Sequence, residues 1–177
     1  MGDGKAVLRK KRQVLEILFW LSLVLGVYFF SQWRGAAPIQ VQRLPPLSVS
    51  SLDGRQEILR SYPGQAMLIN FWSPDCPPCL AETPALVALD KTFSGPHLRI
   101  VGIAVTGSSA KDVRGVAQRF GIPYALYLDD AGEASHSVGG VVLTPTTLLV
   151  NGRGEIVGRF VGAISLPVIV WKLLWLG

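Results

Sequence analysis

Residues 66–84 read A-M-L-I-N-F-W-S-P-D-C-P-P-C-L-A-E-T-P, and they hold both cysteines of a 177-residue chain. Ala66–Trp72 is a short apolar run without alternation, which suits a strand buried on both faces. Beyond the cysteines, Leu80–Thr92 has helical spacing, with Leu86 and Leu89 on one side. The pair therefore falls where a strand hands over to a helix. Cys76 stands at the helix start, where unpaired backbone N–H groups and the positive dipole end favour a thiolate, the nucleophile of disulfide exchange. Pro77 and Pro78 fit the first turn, whose N–H groups have no intrahelical acceptor to lose. Cys79 lies one turn further in, placed to attack a mixed disulfide formed on Cys76.

Working outward, strand and helix signals alternate from Leu47 on. Asp53-Gly54 is a turn between two short runs. Leu98–Val105 is a second buried strand. Ser109 to Asp112 resembles a capping box and opens a helix that ends at Gly121. Tyr124–Leu128 is a third strand. Thr146–Val150, the turn Asn151-Gly-Arg-Gly154 and Glu155–Val161 form a β-hairpin. Leu166, Ile169, Val170, Leu173 and Leu174 share one side of a last helix, Leu166–Leu176. Trp171, Trp175 and Leu176 fall on its other side, open to a membrane, a partner or a second buried face. This order predicts an α/β fold with a mixed central sheet flanked by helices. About 130 residues bury an adequate core without staples. A bridge across two residues constrains the unfolded chain little, so the cysteines serve another purpose.

Hydrophobic residues make up 49% of the chain and charged ones 16%. The apolar surplus is concentrated near the N-terminus. Residues 17–30 carry no charge, and the span 14–33 is long enough for a hydrocarbon core of about 30 Å. Lys5, Arg9, Lys10, Lys11 and Arg12 precede it. Residues 1–37 hold six Lys/Arg and two Asp/Glu, so most of the +5 net charge lies there. That is a positive-inside topology signal and argues against a nucleic-acid partner. A cleaved signal peptide would have to be cut near Gly35-Ala36-Ala37, leaving Pro38 first, and Tyr28 and Trp33 read as interfacial anchors. The expected organisation is a basic cytoplasmic stub (1–13), one N-terminal transmembrane helix (14–33), a proline-containing linker (34–46) and an exported domain (47–177). Such a domain meets an oxidising compartment.

Several chemistries compete for the pair. A structural zinc site needs four ligands, and only His97 and His136 remain as nitrogen donors. Paired thiolates also suit Cu(I), but Met1 and Met67 are the only methionines and form no cluster. A passive surface disulfide is the third option. The peroxide-reducing box P-x-x-x-[ST]-x-x-C is half met: Ser73 is in place, but Ile69 stands where proline belongs. His97 and His136 read as solvated turn or helix-end residues.

The stretch Asn70 to Pro84 resembles the active-site signature of membrane-anchored thioredoxin-like proteins of the TlpA type, N-F-W-A-x-W-C-x-x-C-x-x-E-x-P. Leu143-Thr-Pro145-Thr-Thr-Leu148 resembles the cis-proline loop of the same family. The short apolar C-terminal helix and Thr144 are similar to the suppressor-of-copper-sensitivity D subgroup. The resemblance implies a thioredoxin-like fold and a protein thiol-disulfide oxidoreductase. It implies Cys76 as attacking thiol, Cys79 as resolving thiol and Glu82 as a buried acid that takes the Cys79 proton. It further implies a cis Pro145, a kinking Pro84, and Thr144, Pro145 and Trp72 as substrate contacts. The redox-active disulfide Cys76–Cys79 would be the whole redox centre, with no further cofactor or metal. Partners would be protein disulfides or thiols and a membrane thiol-electron donor of the DsbD kind. Reduction is the preferred direction; a copper-delivery module or a disulfide-forming oxidant of the same fold are the alternatives. The family has an aromatic residue before the first cysteine where this chain has Asp75. A carboxylate there, beside Pro77 and Pro78, is expected to raise the Cys76 pKa and favour a reducing poise.

Overall fold

A computed structural model describes residues 13, 15–16, 18–27, 42–164 and 166–175. Two compact units result, Met1–Ala37 and Pro38–Gly177. In the first, residues 18–27 are helical and exposed, and Ser22 Oγ donates to the Phe19 carbonyl at 2.8 Å. Positions 14, 17 and 28–33 of the expected span lie outside the described residues. Among the described residues, no helix is long and apolar enough to cross a membrane.

The second unit is built on one eight-stranded mixed sheet, ordered β1-β8-β7-β4-β5-β6-β2-β3. The strands are β1 (Gln42–Arg43), β2 (Leu47–Ser51), β3 (Gln56–Leu59), β4 (Ala66–Trp72), β5 (Leu98–Ala104), β6 (Ala125–Leu128), β7 (Thr146–Val150) and β8 (Glu155–Val161). The helices are α1 (Pro77–Phe93), α2 (Ala110–Phe120), α3 (Glu133–Ser137) and α4 (Leu166–Trp175). β4 is central. It pairs in parallel with β5 and antiparallel with β7, and β5 pairs in parallel with β6. This is the mixed α/β sheet the order of elements predicts, and the strand that leads to the cysteines lies at its middle.

Alternation along β4 splits the core in two. Met67, Ile69 and Phe71 face one layer with Val101, Ile103, Leu148, Val150, Ala134 and Val138. Leu68 faces the other with Leu86 and Leu89 of α1, Ile100, Leu149 and Ile169 of α4. Both faces of β4 are thus covered, which is why its sequence does not alternate. Ile69, where the peroxide box has proline, is fully buried and paired on both sides, with Val101 and Leu148. A proline there would delete a ladder donor in the centre of the sheet.

The helix ends follow their caps. Cys76 is the N-cap of α1, with Pro77 and Pro78 in the first two helical positions. Pro84 lies inside α1, which runs on to Phe93. Ser109 Oγ accepts from the Asp112 N–H at 3.1 Å, and Gly121, with φ of 60°, closes α2 in the left-handed region.

Two elements differ from expectation. The sheet begins at Gln42, inside the stretch read as linker, five residues before the expected domain start. Gln42 and Arg43 pair with Ile156 and Glu155, the Leu44 N–H donates to the Gly154 carbonyl at 2.8 Å, and Leu44 is buried. Residues 133–137, where the sequence marks only His136, as a turn or helix-end residue, form α3. Its first turn is capped by Asp129, whose carboxylate accepts from the N–H groups of Ala134 (3.0 Å) and Ser135 (2.8 Å). His136 is exposed on α3 and His97 is exposed ahead of β5. On α4, Ile169 is buried and Trp171 is 58% exposed, whereas the Trp175 side chain and Leu176 lie outside the described residues.

Candidate active site

β4 delivers the chain through Ser73-Pro74-Asp75 to the N-terminus of α1. There Cys76 and Cys79 are joined by a disulfide, their Cα atoms 5.2 Å apart. Cys76 Sγ also accepts from the Cys79 backbone N–H at 3.2 Å, so the sulfur takes the place of a capping oxygen. The N–H is one of the donors that the first helical turn leaves without a partner. A thiolate on Cys76 would receive this bond and the helix dipole together. The two sulfurs are unequal. Cys76 is 8% exposed and Cys79 1% exposed. Cys76 is the less buried of the two, so its sulfur is the better placed for an incoming group.

A second segment closes over the outer sulfur. The Thr144–Pro145 bond is cis, as the resemblance implies. The Thr144 carbonyl oxygen lies 3.6 Å from Cys76 Sγ, within reach of a thiol S–H. Pro145 is buried and Thr144 partly exposed. The loop is held from three sides. The Arg159 guanidinium donates to the carbonyls of Val138 and Gly140, Thr146 Oγ1 donates to Leu143 O at 2.7 Å, and the Gly162 N–H donates to Pro145 O at 2.8 Å. Val142 and Leu143, just ahead of Thr144 in this loop, are 92% and 63% exposed.

Asp75 is exposed, and its backbone N–H donates to Ser73 Oγ at 3.3 Å. Water screens a carboxylate in that position, so its pull on Cys76 is smaller than adjacency in sequence implies. Pro77 and Pro78 are exposed on the first turn. Trp72 differs from its expected role as a substrate contact. It is 3% exposed and packs with Cys76, Cys79, Ala104, Val113 and Leu128. Its place is the floor of the site. Gly102 makes room for it: a Cβ there would come within 3.1 Å of Trp72 Nε1 and 2.6 Å of Leu126 Cδ2.

Glu82 is buried on the same side of α1 as Cys79, at 5% exposure. Its Oε1 accepts from Asn70 Nδ2 at 2.8 Å and its Oε2 from the Ile164 N–H at 3.0 Å. Burial pushes the carboxyl above the usual carboxylate range, and the bonds from Ile164 and Asn70 offset only part of that. Burial, and then the Glu82 and Asp90 charges, hold Tyr124 above the ordinary tyrosine range. Burial likewise raises Asp90, against a bond from Ser94. A raised carboxyl binds its proton more tightly folded than unfolded. Glu82 therefore favours folding most below its unfolded pKa, and that contribution is lost as pH rises through its folded value. We expect the stability of wild type to fall with pH across this window and the slope to flatten in Glu82→Gln, with Asp90 keeping a residual slope. Urea unfolding across a pH series checks this; identical slopes in both proteins would contradict it.

His97 and His136 join neither cysteine. Among the described residues, no three His, Cys, Asp or Glu side chains gather as a metal site would require.

A family model described as AhpC/TSA matches residues 41–159, two-thirds of the chain and all eight strands but the last two residues of β8. The chain belongs to the AhpC/TSA family. The thioredoxin-like protein YneN of Bacillus subtilis is 30% identical over 135 residues, 75% of this chain and 77% of its own. The thiol-disulfide oxidoreductase ResA of Geobacillus thermodenitrificans is 27% identical over 156 residues, 87% of each chain. Among solved structures, a thiol:disulfide interchange protein of the thioredoxin family from Chlorobium tepidum superposes with a TM-score of 0.68 at 26% identity, covering 79% of this chain and 99% of that one. The fold of this AhpC/TSA member is thioredoxin-like. The part that sequence reasoning left out is the support around Glu82, namely Asn70, Thr147 and the Ile164 N–H. Asn70 stood within the motif, but nothing local showed what its amide would hold.

Proposed function

We infer that this chain is a protein thiol-disulfide oxidoreductase working through Cys76 and Cys79. One observation carries the reading: a disulfide-bonded pair at a helix N-terminus, with its outer cysteine the less buried and the Thr144 carbonyl 3.6 Å from that outer sulfur. The names of the ResA and Chlorobium tepidum relatives support the same chemistry. In the reducing direction, the Cys76 thiolate attacks one sulfur of a substrate disulfide and expels the other as a thiolate, which takes up a proton. Cys79, deprotonated, then attacks Cys76 Sγ. That releases the second substrate thiol and leaves the Cys76–Cys79 disulfide, two electrons having passed to the substrate. Glu82, one turn beyond Cys79, serves as the acid–base group for the buried thiol. Thr144 and Pro145 receive the substrate as an extended segment.

The finer reading places the domain outside the cytoplasm on an N-terminal membrane anchor, as in proteins of the TlpA type. The basic stub and the apolar run at 17–30 support it. Return of electrons then requires a membrane thiol donor of the DsbD kind. Asp75 supports the reducing direction weakly: its carboxylate, exposed and screened by water, adds a small negative charge beside Cys76 and so does not favour the thiolate form. Redox equilibration with glutathione tests the direction. We expect a potential near or below about −220 mV, in the range of glutaredoxins and thioredoxin. A value near about −120 mV, that of a strong oxidant, would reverse the assignment.

A further inference from the structure

The carboxylate beneath the cysteine pair is held by a buried polar network. Asn70 Nδ2 donates one hydrogen to Glu82 Oε1 at 2.8 Å and the other to Thr147 Oγ1 at 2.9 Å. Asn70 and Thr147 are direct ladder partners on β4 and β7, 3% and 0% exposed. Thr147 stands two residues beyond Pro145. The second carboxylate oxygen takes the Ile164 N–H, in the link between β8 and α4. Two segments distant from each other in sequence thus bond one side chain of α1, and a third, β7, braces one of them.

Each partner of Glu82 is a donor. An amide Nδ2–H and a backbone N–H cannot accept a proton from a carboxylic acid. The arrangement fits the charged form, which a buried carboxylate otherwise disfavours. Protonation of Glu82 weakens the bond to the oxygen that takes the proton and leaves the new O–H without an acceptor among these two partners, unless Asn70 turns its carboxamide over and offers Oδ1. Thr147 Oγ1 accepts the other Nδ2 hydrogen, so that turn also requires its hydroxyl to reverse from acceptor to donor. Other charged or titratable groups lie around the site. Cys76 and Cys79 stand at the start of α1 and Asp90 lies about two turns beyond Glu82 on it, whereas Tyr124 precedes β6. Lys172 of α4 is engaged with the Val157 carbonyl and the Phe160 ring. None of the described ion pairs includes Glu82, so the two hydrogen bonds are the local counterweight to burial.

We propose that Asn70, braced by Thr147, is a positioning residue that fixes Glu82 beneath the redox pair and sets how readily that carboxyl takes a proton. Its functional consequence rests on the dithiol-exchange reading; the titration of Glu82 itself does not. The test uses the full chain carrying 13C-carboxyl glutamate, with the Glu82 resonance assigned by its loss in Glu82→Gln. Asn70→Leu moves the Glu82 midpoint upward by about one pH unit, the loss of one bond to a charged group. Thr147→Val moves it upward by less, and Thr147→Ser, which keeps the hydroxyl, restores the wild-type midpoint. In the exchange assay, Asn70→Leu displaces the pH profile in the same direction, and adds no displacement in a Glu82→Gln chain. The proposal is overturned by an unmoved midpoint in folded Asn70→Leu. It is equally overturned by a profile shift that persists without Glu82. Should Asn70→Leu not fold, an unmoved midpoint in Thr147→Val overturns it alone. A midpoint that moves as stated in a chain with no exchange activity supports the positioning role and removes the proposed function instead.

Discussion

Cys76→Ser reduces disulfide turnover to the uncatalysed background, whereas Cys79→Ser permits the first attack and then stalls. The difference comes from the burial of the two sulfurs. Cys76 caps α1, receives the Cys79 N–H at 3.2 Å and is the more exposed of the pair. A serine in its place supplies a hydroxyl that is not ionised at neutral pH and cannot form a disulfide. Cys79, at 1% exposure, is out of reach of a protein substrate. Its role is confined to the second step, in which it attacks a sulfur already delivered to Cys76. Reduction of a model protein disulfide by dithiothreitol, followed with each variant, checks the asymmetry. Equal residual activity in the two variants would mean that the sulfurs do not divide the reaction.

The largest effect on folding is expected at Phe71. It is fully buried in β4, between Ile103 of β5 and Thr146 of β7, and belongs to the layer under α3. Phe71→Ala removes most of an aromatic side chain from a position where the sheet cannot collapse to fill the gap, because both neighbouring strands are fixed by their ladders. Such truncations cost about 3–5 kcal/mol. Whole domains are stable by about 5–15 kcal/mol, so this one change consumes a large share. The functional cost follows, since β4 is the strand that delivers Cys76 to α1. The midpoint of urea unfolding measures it. A loss under about 1 kcal/mol would place Phe71 outside the principal core, as ordinary surface changes cost about half that.

The cysteine site was legible because its information is local. Strand, turn, cap and first helical turn follow one another between Ala66 and Cys79, and each residue type has a physical reason to be there. The hairpin was legible for the same reason. Asn151 Oδ1 accepts from the Arg153 and Glu155 N–H groups at 3.0 and 2.9 Å, and Gly154 takes a φ of 76°. β1 was not legible. Two residues in a proline-containing stretch carry no periodicity, and their ladder partners, Glu155 and Ile156, lie at the far end of the domain. α3 is a five-residue helix preceded by Gly132, and its cap comes from the Asp129 side chain rather than from an adjacent residue, so no periodicity announced it. The resemblance implies Trp72 as a substrate contact. Its burial depends on Gly102 on the neighbouring strand, a contact that only the tertiary fold makes visible.

The central claim is that the outer sulfur captures and the inner one releases. Its most direct measurement is peptide mapping by mass spectrometry of Cys79→Ala after exposure to a disulfide-bonded protein. The account predicts one covalent adduct, linked through Cys76, that is released by dithiothreitol and does not form when Cys76 is also replaced. No adduct at Cys76, or an adduct that survives its replacement, would contradict it.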